Sequence, residues 1–426
     1  MKICFVQPAQ GWFNDNLDPP FNLMYLAAVA EQEQWQAQIV DMKTPDEPLP
    51  YADVYGVTAT SSEWTAAVIL SHRLRKEHPE SRLWVGGPHI SAMPEAVWGS
   101  AFDVAVTGEG ERTLQALLDG SFEKHLTSAD RYTWAKDREG VPIDSIPFPA
   151  RHLIDWKQYK RGIFWKDELL APAVGIITSR GCPGNCIFCG SHIIFGHKCR
   201  FRSIENVVTE MKLVIETMGY HGFNFYDDTF CLSHPRVVDL CRAFRPLNVV
   251  WRCLSRTNTV DLELLKTMRW AGCKEIIYGI ESYHQTVLNN LQKGATVEQN
   301  LKAVEMTKRV GIQVKAGMIV GSPGETWETI RETERLLKKC PPDYWVVSVF
   351  TPHPGSAAWE TPEKFGLKIL TRDIAEYAMT GPDMKGNVVV ETEQMTKTDI
   401  EQARDEMIEL LTDISPLGNS LLWKKQ

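Results

Sequence analysis

Three cysteines, Cys182, Cys186 and Cys189, stand at C-x3-C-x2-C spacing directly after an apolar, strand-like segment. This spacing puts three thiolates on one short loop. A structural zinc site takes four protein ligands, and a catalytic zinc site takes three plus water. A cubane iron–sulfur cluster held by three thiolates keeps one iron open for a substrate. We therefore predict a [4Fe–4S] cluster, with a structural zinc loop as the alternative.

Polar or glycine-rich turns follow each later apolar segment of the same half of the chain. Six strand-like segments between residues 173 and 350 alternate with helical patterns, which predicts a partial parallel (β/α)6 barrel of the TIM type. Catalytic groups in such barrels lie at the carboxyl ends of the strands. Besides the cysteines, the candidates at these ends are Asp227, Asp228, Arg256, Glu281 and Gly321.

The first third of the chain shows the same alternation of short apolar runs and helical patterns. It predicts an α/β fold with a doubly wound parallel sheet, of the Rossmann-like type that binds ligands at the carboxyl ends of its strands. The alternative is that the glycines in these turns only permit tight backbone turns and contact no ligand. The candidate ligand-binding residues are Thr58, Ser61, Ser62, Gly86, Gly87, Gly108 and Glu109.

These patterns predict four consecutive segments. Residues 1–125 form the Rossmann-like domain and 126–170, which contain Pro142, Pro147 and Pro149 without clean periodicity, form a linker. Residues 171–355 form the partial barrel. Residues 356–426 form a small C-terminal appendage, a cap or strap, with one helix expected near 398–412.

Composition narrows the class of protein. The chain has 426 residues, 43% of them hydrophobic and 23% charged, with a formal net charge of −8, so we expect no nucleic-acid surface. No apolar run reaches membrane-spanning length and the first ten residues lack the apolar core of a secretory signal, so we expect a cytoplasmic protein that does not bind membranes. Its ten cysteines are then expected to be reduced.

The cysteine loop resembles the signature of the radical S-adenosylmethionine (radical SAM) superfamily, including the aromatic Phe188 before the last cysteine. The resemblance covers about residues 170–355. It implies that Phe188 packs near the adenine of S-adenosylmethionine and that Asp227 and Asp228 contact the methionine ammonium. It also implies that Glu281 binds the ribose and that Gly317 and Gly321 border the adenine. Arg256 could neutralise the methionine carboxylate, or form a surface salt bridge instead.

The first 120 residues resemble the cobalamin (B12)-binding domain that precedes many radical enzymes. The resemblance lies in PPFNLMYLAAVA, VGGPH and VTGEGE. It implies bound cobalamin. The sequence departs from the family pattern at one place. Domains that ligate cobalt with histidine carry D-x-H-x-x-G, whereas the matching stretch here begins Asp41-Met42-Lys43, with lysine at the position of the histidine. No histidine ligand is therefore evident, and a domain that has lost the corrinoid is the alternative.

Three functions fit these observations. The first is a cobalamin-dependent radical SAM enzyme, with C-methyltransferase as the commonest outcome of this domain order. The second is a radical SAM lyase, isomerase, cyclase or dehydratase that does not use cobalamin for methyl transfer. The third is a non-catalytic iron–sulfur redox sensor. For an enzyme we expect a small-molecule or peptide substrate and an electron donor such as flavodoxin or ferredoxin, while the sequence names no general acid or base.

Overall fold

The computed structural model describes residues 1–9, 19–121, 135–136, 142–159, 162–377, 385–415 and 417. The chain forms two compact units. The first comprises residues 1–160, 190–198 and 373–377, and the second comprises 161–189, 199–372 and 378–426. In the described part of the chain, every helix is too short or too polar to cross a membrane. The domain boundaries at 125, 170 and 355 remain predictions.

The first unit is built on a six-stranded sheet in which all neighbouring strands run parallel. Its strand order is β2-β1-β3-β4-β5-β6. The strands are β1 (Lys2–Gln7), β2 (Gln36–Asp41), β3 (Val54–Thr58), β4 (Arg82–Gly86), β5 (Val104–Thr107) and β6 (Ala135–Lys136). The helices are α1 (Phe21–Gln32), α2 (Trp64–Glu77), α3 (Pro88–Ala92) and α4 (Glu111–Leu118). The strand order reverses direction between β1 and β3, the kind of position where such sheets bind ligands.

Helices cover both faces of this sheet. Alternate residues of β1 point to opposite faces, so Cys4 and Val6 join the hydrophobic core formed with α2. Ile3 and Phe5 join the second core, formed with α1 and α4. Two cores on one parallel sheet confirm the doubly wound architecture predicted from the sequence.

Two segments from later in the chain also belong to the first unit. Helix α5 (Ser191–Phe195) begins two residues after Cys189 and packs against α3. Residues 374–376 form a single 3₁₀ turn that packs against residues 61–63, which follow β3. Both segments therefore support turns at the carboxyl ends of strands in the first sheet.

The second unit contains a seven-stranded sheet in the order β15-β14-β13-β12-β11-β8-β7. Six of these strands are parallel, with helices between them, which confirms the partial (β/α)6 barrel. The strands are β7 (Gly162–Trp165), β8 (Glu168–Ile176), β11 (Gly222–Phe225), β12 (Val250–Ser255), β13 (Cys273–Glu281), β14 (Gln313–Val320) and β15 (Tyr344–Val349). The intervening helices are α6 (Ile204–Met218), α7 (His234–Phe244), α8 (Leu262–Trp270), α9 (Gln285–Asn290), α10 (Val297–Arg309) and α11 (Trp327–Lys339). Two short strands, β9 (Ser179–Arg180) and β10 (Arg200–Phe201), pair separately and antiparallel.

Strand β7 was missed by the sequence analysis, which placed it in the linker. It pairs antiparallel with β8 through a tight turn in which Lys166 and Asp167 have φ of 49° and 66°. The Tyr344 hydroxyl of β15 donates a 3.0 Å hydrogen bond to Asp167 Oδ1, and β7 also approaches β12 and β13. The hairpin thus reaches across the amino-terminal end of the curved sheet and links its two edges.

The C-terminal appendage contains more structure than the single expected helix. It has α12 (Ala357–Glu360), the antiparallel pair β16 (Leu367–Ile369) and β17 (Val390–Thr392), and α13 (Lys397–Ile414). Helix α13 begins with a capping box, in which Thr396 and Asp399 exchange hydrogen bonds. It packs against β15, β14 and α11.

A buried ion pair fixes the chain where β8 ends and the cysteine loop begins. Arg202 and Glu210 are 5% and 0% exposed and form an ion pair. The Arg202 guanidinium also donates to the Ile177 carbonyl at 2.9 Å, and its backbone N–H donates to the Thr178 carbonyl at 2.9 Å. Glu210 therefore holds the arginine that supports this turn.

We predict that Glu210→Ala lowers the free energy of unfolding by about 3–5 kcal/mol, because it leaves the Arg202 charge buried without its partner. The matched control is Glu263→Ala, which breaks the exposed Glu263–Lys266 pair and should cost no more than about 1 kcal/mol. Thermal unfolding followed by circular dichroism measures both. Equal effects of the two substitutions would contradict the role assigned to Glu210.

Candidate active site

The cysteine loop leaves the carboxyl end of β8 and is anchored by its backbone. Ile187 is fully buried, its N–H donates to the Leu291 carbonyl at 3.2 Å, and its carbonyl accepts from Ala358 N–H at 2.9 Å. The Cys189 N–H donates to the Cys186 carbonyl at 3.1 Å, which closes a turn between two of the cysteines. The loop is thereby held in place while all three cysteines remain partly exposed.

Hydrogen-bond donors surround the sulfur atoms of this loop. The Gly184 N–H donates to Cys182 Sγ at 3.4 Å, and Arg256 Nη1 donates to Cys186 Sγ at 3.5 Å. Thr229 Oγ1 lies 3.7 Å from Cys182 Sγ. The thiolate is the form of cysteine that binds metal, and one guanidinium and one backbone N–H lie beside these sulfur atoms.

The donor set fits an iron–sulfur cluster. Within the described residues, no three His, Cys, Asp or Glu side chains converge so that they could hold a single metal ion. Each cysteine of a cubane cluster binds a different iron, so its three cysteines need not converge on one point. Cys182, Cys186 and Cys189 would hold the cluster, with Arg256 beside it.

A fourth cysteine, Cys199, lies near this loop. It is half-buried and receives a hydrogen bond from Ser179, yet burial raises its pKa to about 11. Burial thus disfavours the thiolate form of Cys199, and the three loop cysteines remain the predicted ligands.

Phe188 projects from the loop towards the end of β15. Its ring lies 6.3 Å from the ring of Phe350, in an edge-to-face arrangement with an interplanar angle of 77°. Phe350 is 1% exposed, whereas Phe188 is half-buried. The packing orients Phe188 without covering its ring, and the contact with an adenine remains a prediction.

Asp227 and Asp228 have different environments although they are adjacent. Asp227 is 2% exposed and accepts three hydrogen bonds of 2.6 Å, from the Thr178 N–H, the Thr178 hydroxyl and the Ser179 hydroxyl. Burial raises the pKa of Asp227, while these hydrogen bonds and the charge of Arg236 oppose the rise. Asp227 thus fastens the end of β11 to the end of β8, and the half-buried Asp228 has the more accessible carboxylate.

Glu281 ends β13 in a buried ion pair. Its carboxylate lies 2.6 Å from Lys293 Nζ, and both side chains are less than one-tenth exposed. Glu281 has φ of 62°, a left-handed conformation that is unusual for glutamate and clusters at functional sites. It follows a bulge where β13 shifts register against β14. The strained backbone turns the carboxylate towards Lys293.

Lys293 was missed by the sequence analysis, because it lies 12 residues beyond Glu281 and outside any strand. The only signal was a lysine directly before Gly294, at the end of a short helical pattern. Two glycines that face each other across β13 and β14 make room for the pair. A Cβ atom at Gly279 would lie 2.4 Å from Glu281 Oε1 and 2.7 Å from Lys293 Nζ, whereas one at Gly317 would lie 3.9 Å from Glu281 Oε2.

Gly321 is constrained by packing as well as by conformation. It has φ of 84°, and a Cβ atom there would approach Ile400 of α13 to 2.8 Å. Its N–H donates at 2.6 Å to Glu325, a carboxyl whose burial raises its pKa to about 7. These contacts account for glycine at position 321 without a ligand, and its predicted place beside the adenine remains a prediction.

In the first unit, three of the predicted turns are joined to one another. Gly87 has φ of 104°, and a Cβ atom there would lie 2.8 Å from Thr58 Oγ1. The Thr58 hydroxyl accepts a 2.9 Å hydrogen bond from the side chain of Asn22. The Gly108 N–H donates to the Ser91 hydroxyl, which itself donates to the Gly87 carbonyl. The ends of β3, β4 and β5 therefore form one connected surface.

The remaining predicted residues of the first unit lie on the same turns. Ser61 Oγ lies 3.2 Å from Nδ1 of His89, which is 1% exposed, and Ser62 Oγ lies 3.1 Å from the Thr60 hydroxyl. Gly86 ends β4, and Glu109 is buried just after β5. Burial lowers the pKa of His89 to about 4, so its imidazole is neutral at pH 7.

Lys43, at the position of the absent histidine, already has partners. Its ammonium lies 3.3 Å from Asp41 Oδ2 and 5.3 Å from the centre of the Tyr159 ring. The Tyr159 hydroxyl donates a 2.6 Å hydrogen bond to the same carboxylate oxygen. An ammonium has no lone pair to offer a metal, and this one is held by a carboxylate and an aromatic face.

Comparisons with known proteins cover both units. Residues 17–118 match the B12 binding domain family, and residues 176–337 match the radical SAM superfamily. An uncharacterised methyltransferase of Pyrococcus horikoshii is 31% identical over 393 residues, which cover 86% of this chain and 83% of that protein. The chain belongs to the radical SAM superfamily.

Two further relatives define the breadth of the similarity. The anaerobic magnesium-protoporphyrin IX monomethyl ester cyclase of Rubrivivax gelatinosus is 27% identical over 356 residues, which cover 78% of this chain and 62% of the cyclase. The structure of the radical SAM methyltransferase TsrM from Kitasatospora setae shares the fold with a TM-score of 0.66 and 18% identity, covering 87% of this chain and 81% of TsrM.

These findings confirm that this radical SAM protein is an enzyme with a B12-binding domain ahead of its radical domain. They confirm the cofactor set of a [4Fe–4S] cluster and S-adenosylmethionine, together with cobalamin through the first domain. The assignment of individual residues to these cofactors remains a prediction. Lys293 is the residue that the structure adds to them.

We predict that Gly279→Ala in this radical SAM enzyme disrupts the Glu281–Lys293 pair, because the new methyl group overlaps both charged atoms. The affinity for S-adenosylmethionine should fall by about tenfold or more, equivalent to about 1.4 kcal/mol, and equilibrium binding to the reconstituted protein measures it. The matched control is Gly317→Ala, whose methyl group has ordinary contact distances within the protein. Gly317→Ala should leave thermal stability unchanged.

Two outcomes are decisive. If only Gly317→Ala loses affinity for S-adenosylmethionine, the adenine contact belongs to Gly317. If Gly279→Ala keeps its affinity for S-adenosylmethionine, the role of the ion pair is contradicted.

We predict that no side-chain nitrogen from the loop after β2 coordinates cobalt, because Asp41 and Tyr159 hold the Lys43 ammonium. Electron paramagnetic resonance of bound cob(II)alamin should give the same spectrum for 14N- and 15N-labelled protein, and Lys43→Ala should not change it. A nitrogen hyperfine splitting that differs between 14N- and 15N-labelled protein and disappears in Lys43→Ala would show that Lys43 coordinates cobalt.

Proposed function

We propose that this radical SAM enzyme is a cobalamin-dependent C-methyltransferase acting on a small molecule. The observation that carries the proposal is the similarity to an uncharacterised methyltransferase, which extends over both domains rather than over the barrel alone. When bound, the cluster and S-adenosylmethionine supply a 5′-deoxyadenosyl radical, and cobalamin supplies a transferable methyl group. The residues of this chain have to bind, orient and shield these groups.

Within the barrel, each proposed contact rests on the charge and accessibility of one side chain. The carboxylate of Asp228 is the acceptor for the methionine ammonium, because Asp227 is already engaged by three hydrogen bonds. Glu281, oriented by its ion pair with Lys293, accepts hydrogen bonds from the ribose hydroxyls. The Arg256 guanidinium, beside the cysteine sulfurs, neutralises the methionine carboxylate.

The B12-binding unit contributes a preformed surface. The turns after β3, β4 and β5 are connected through Thr58, Gly87, Ser91 and Gly108, so little backbone ordering is needed when a corrinoid binds. Thr58, Ser61, Ser62, Gly86, Gly87, Gly108 and Glu109 are the proposed contacts. We further propose that flavodoxin or ferredoxin supplies the electron and that neither nucleic acid nor membrane is a partner.

A second candidate is a radical SAM cyclase, favoured by the similarity to the magnesium-protoporphyrin ester cyclase. The two functions differ in what becomes of the methyl group of S-adenosylmethionine. A methyltransferase converts S-adenosylmethionine, the methyl donor, to S-adenosylhomocysteine. A cyclase forms 5′-deoxyadenosine and no S-adenosylhomocysteine. Anaerobic incubation with and without cobalamin, followed by mass spectrometry of both nucleosides, separates the two.

We predict that Cys186→Ala abolishes the intact [4Fe–4S] cluster and lowers 5′-deoxyadenosine formation by about a thousandfold or more, because one thiolate ligand is lost. Iron and sulfide content and product formation in reconstituted protein measure this. The matched control is Cys340→Ala, a partly exposed cysteine outside the site, which should behave like the wild type. Retention of a full cluster and of 5′-deoxyadenosine formation in Cys186→Ala would overturn the ligand assignment.

A further inference from the structure

The inner face of the second sheet carries a row of polar side chains. On the outer face, the rings of Phe225, Phe230, Phe244 and Trp251 pack together, with centroids 4.9–6.0 Å apart. Neighbouring residues of a strand point to opposite faces. Asn224 on β11 and Arg252 on β12 therefore face the interior of the half-barrel.

The strand register makes this row continuous across four strands. Asn224 pairs with Arg252, Arg252 pairs with Glu275 of β13, and Glu275 pairs with Gln313 of β14. Arg252 Nη1 lies 3.6 Å from Glu275 Oε1, so these two charges offset each other. What remains is a side-chain amide at each end of the row, from Asn224 and Gln313.

Both amides are buried without hydrogen-bond partners. Asn224 is 1% exposed and Gln313 is 5% exposed, and neither the nitrogen nor the oxygen of either amide has a partner. Glu275 Oε1 also lacks a hydrogen bond. Buried polar groups are almost always satisfied, because an unmet hydrogen bond carries a desolvation cost. Four amide atoms without a hydrogen-bond partner, two at each end of one row, point to a bound partner that supplies both donors and acceptors.

The inner-face residues nearer the carboxyl ends of the strands are partly exposed. Leu254, Ile277, Lys315 and Val346 are inner-face positions in neighbouring strands, and all four remain partly exposed. Their outward-facing neighbours, such as Cys253, Ile276, Ala316 and Val347, are buried. The β7–β8 hairpin lies at the amino-terminal end of the sheet. A ligand would therefore enter from the carboxyl ends of the strands, where the cysteine loop lies.

We propose that the barrel interior is a recognition site for an uncharged polar group of the substrate, held between the amides of Asn224 and Gln313. This inference rests on the proposed function, because it identifies part of the molecule on which the enzyme acts. Each amide offers donors and an acceptor, so the matching group is a carboxamide, a urea-like group or the donor–acceptor edge of a heterocycle. A site built on such amides rejects a hydrocarbon of the same shape, which would leave them unpaired.

Soaking acetamide into anaerobic crystals of the reconstituted holoenzyme tests the site without knowledge of the substrate. We expect acetamide to lie between Asn224 and Gln313 in the wild type and to be lost in the Asn224→Leu/Gln313→Met variant. These substitutions approximately preserve volume and remove unpaired amides, so the thermal midpoint should stay equal or rise. Gln402→Met, on the exposed face of α13, is the matched control and should retain acetamide.

The outcomes separate this inference from the proposed function. Ordered water alone at both amides in the soaked wild-type crystals, or acetamide that persists in the double variant, would overturn the recognition site. Neither result affects the formation of S-adenosylhomocysteine or 5′-deoxyadenosine, which tests the proposed function separately. A double variant that fails to fold would itself contradict the inference, because it would make the amides structural, and the wild-type soak decides the question without it.

Discussion

Parallel pairing puts the carboxyl ends of six strands at one edge of the second sheet, and each candidate cofactor residue of that unit depends on this constraint. The constraint alone does not align the ends, because the strands differ in length and the sheet curves. Asp227 aligns two of them by accepting three hydrogen bonds from Thr178 and Ser179. A carboxylate that sequence reasoning assigned to a cofactor thus fixes the base of the loop that carries the cysteines.

The sequence was sufficient to predict the two sheets, because buried parallel strands appear as short apolar runs that end in polar or glycine-rich turns. The cysteine loop could also be predicted from the sequence, since its three predicted metal ligands lie close together in the chain. Sequence reasoning failed where function depends on contacts between distant residues. Lys293 reaches Glu281 from outside any strand, and the β7–β8 hairpin lacks the alternating pattern that would have identified β7.

The glycines show how one residue type serves different physical needs. Gly87 and Gly321 have left-handed backbone conformations and close neighbours, so glycine is required at both positions even without a ligand. Gly279 has neither constraint on its backbone, yet a side chain there would displace a buried ion pair. A sequence motif does not distinguish these glycines. Their neighbours in the structure do, because Gly87 allows a turn, Gly321 allows contact with a helix, and Gly279 leaves room for an ion pair.

Unsatisfied polar groups in the barrel interior carry a cost that the fold does not require. Apolar residues of similar size at Asn224 and Gln313 would remove four buried amide atoms that lack hydrogen bonds. A structural core under selection for stability alone would lose them. Their position beside partly exposed residues of the inner face links this cost to the proposed binding. The left-handed backbone of Glu281, with φ of 62°, is a second local cost in this sheet, and it too lies at a predicted cofactor-binding position.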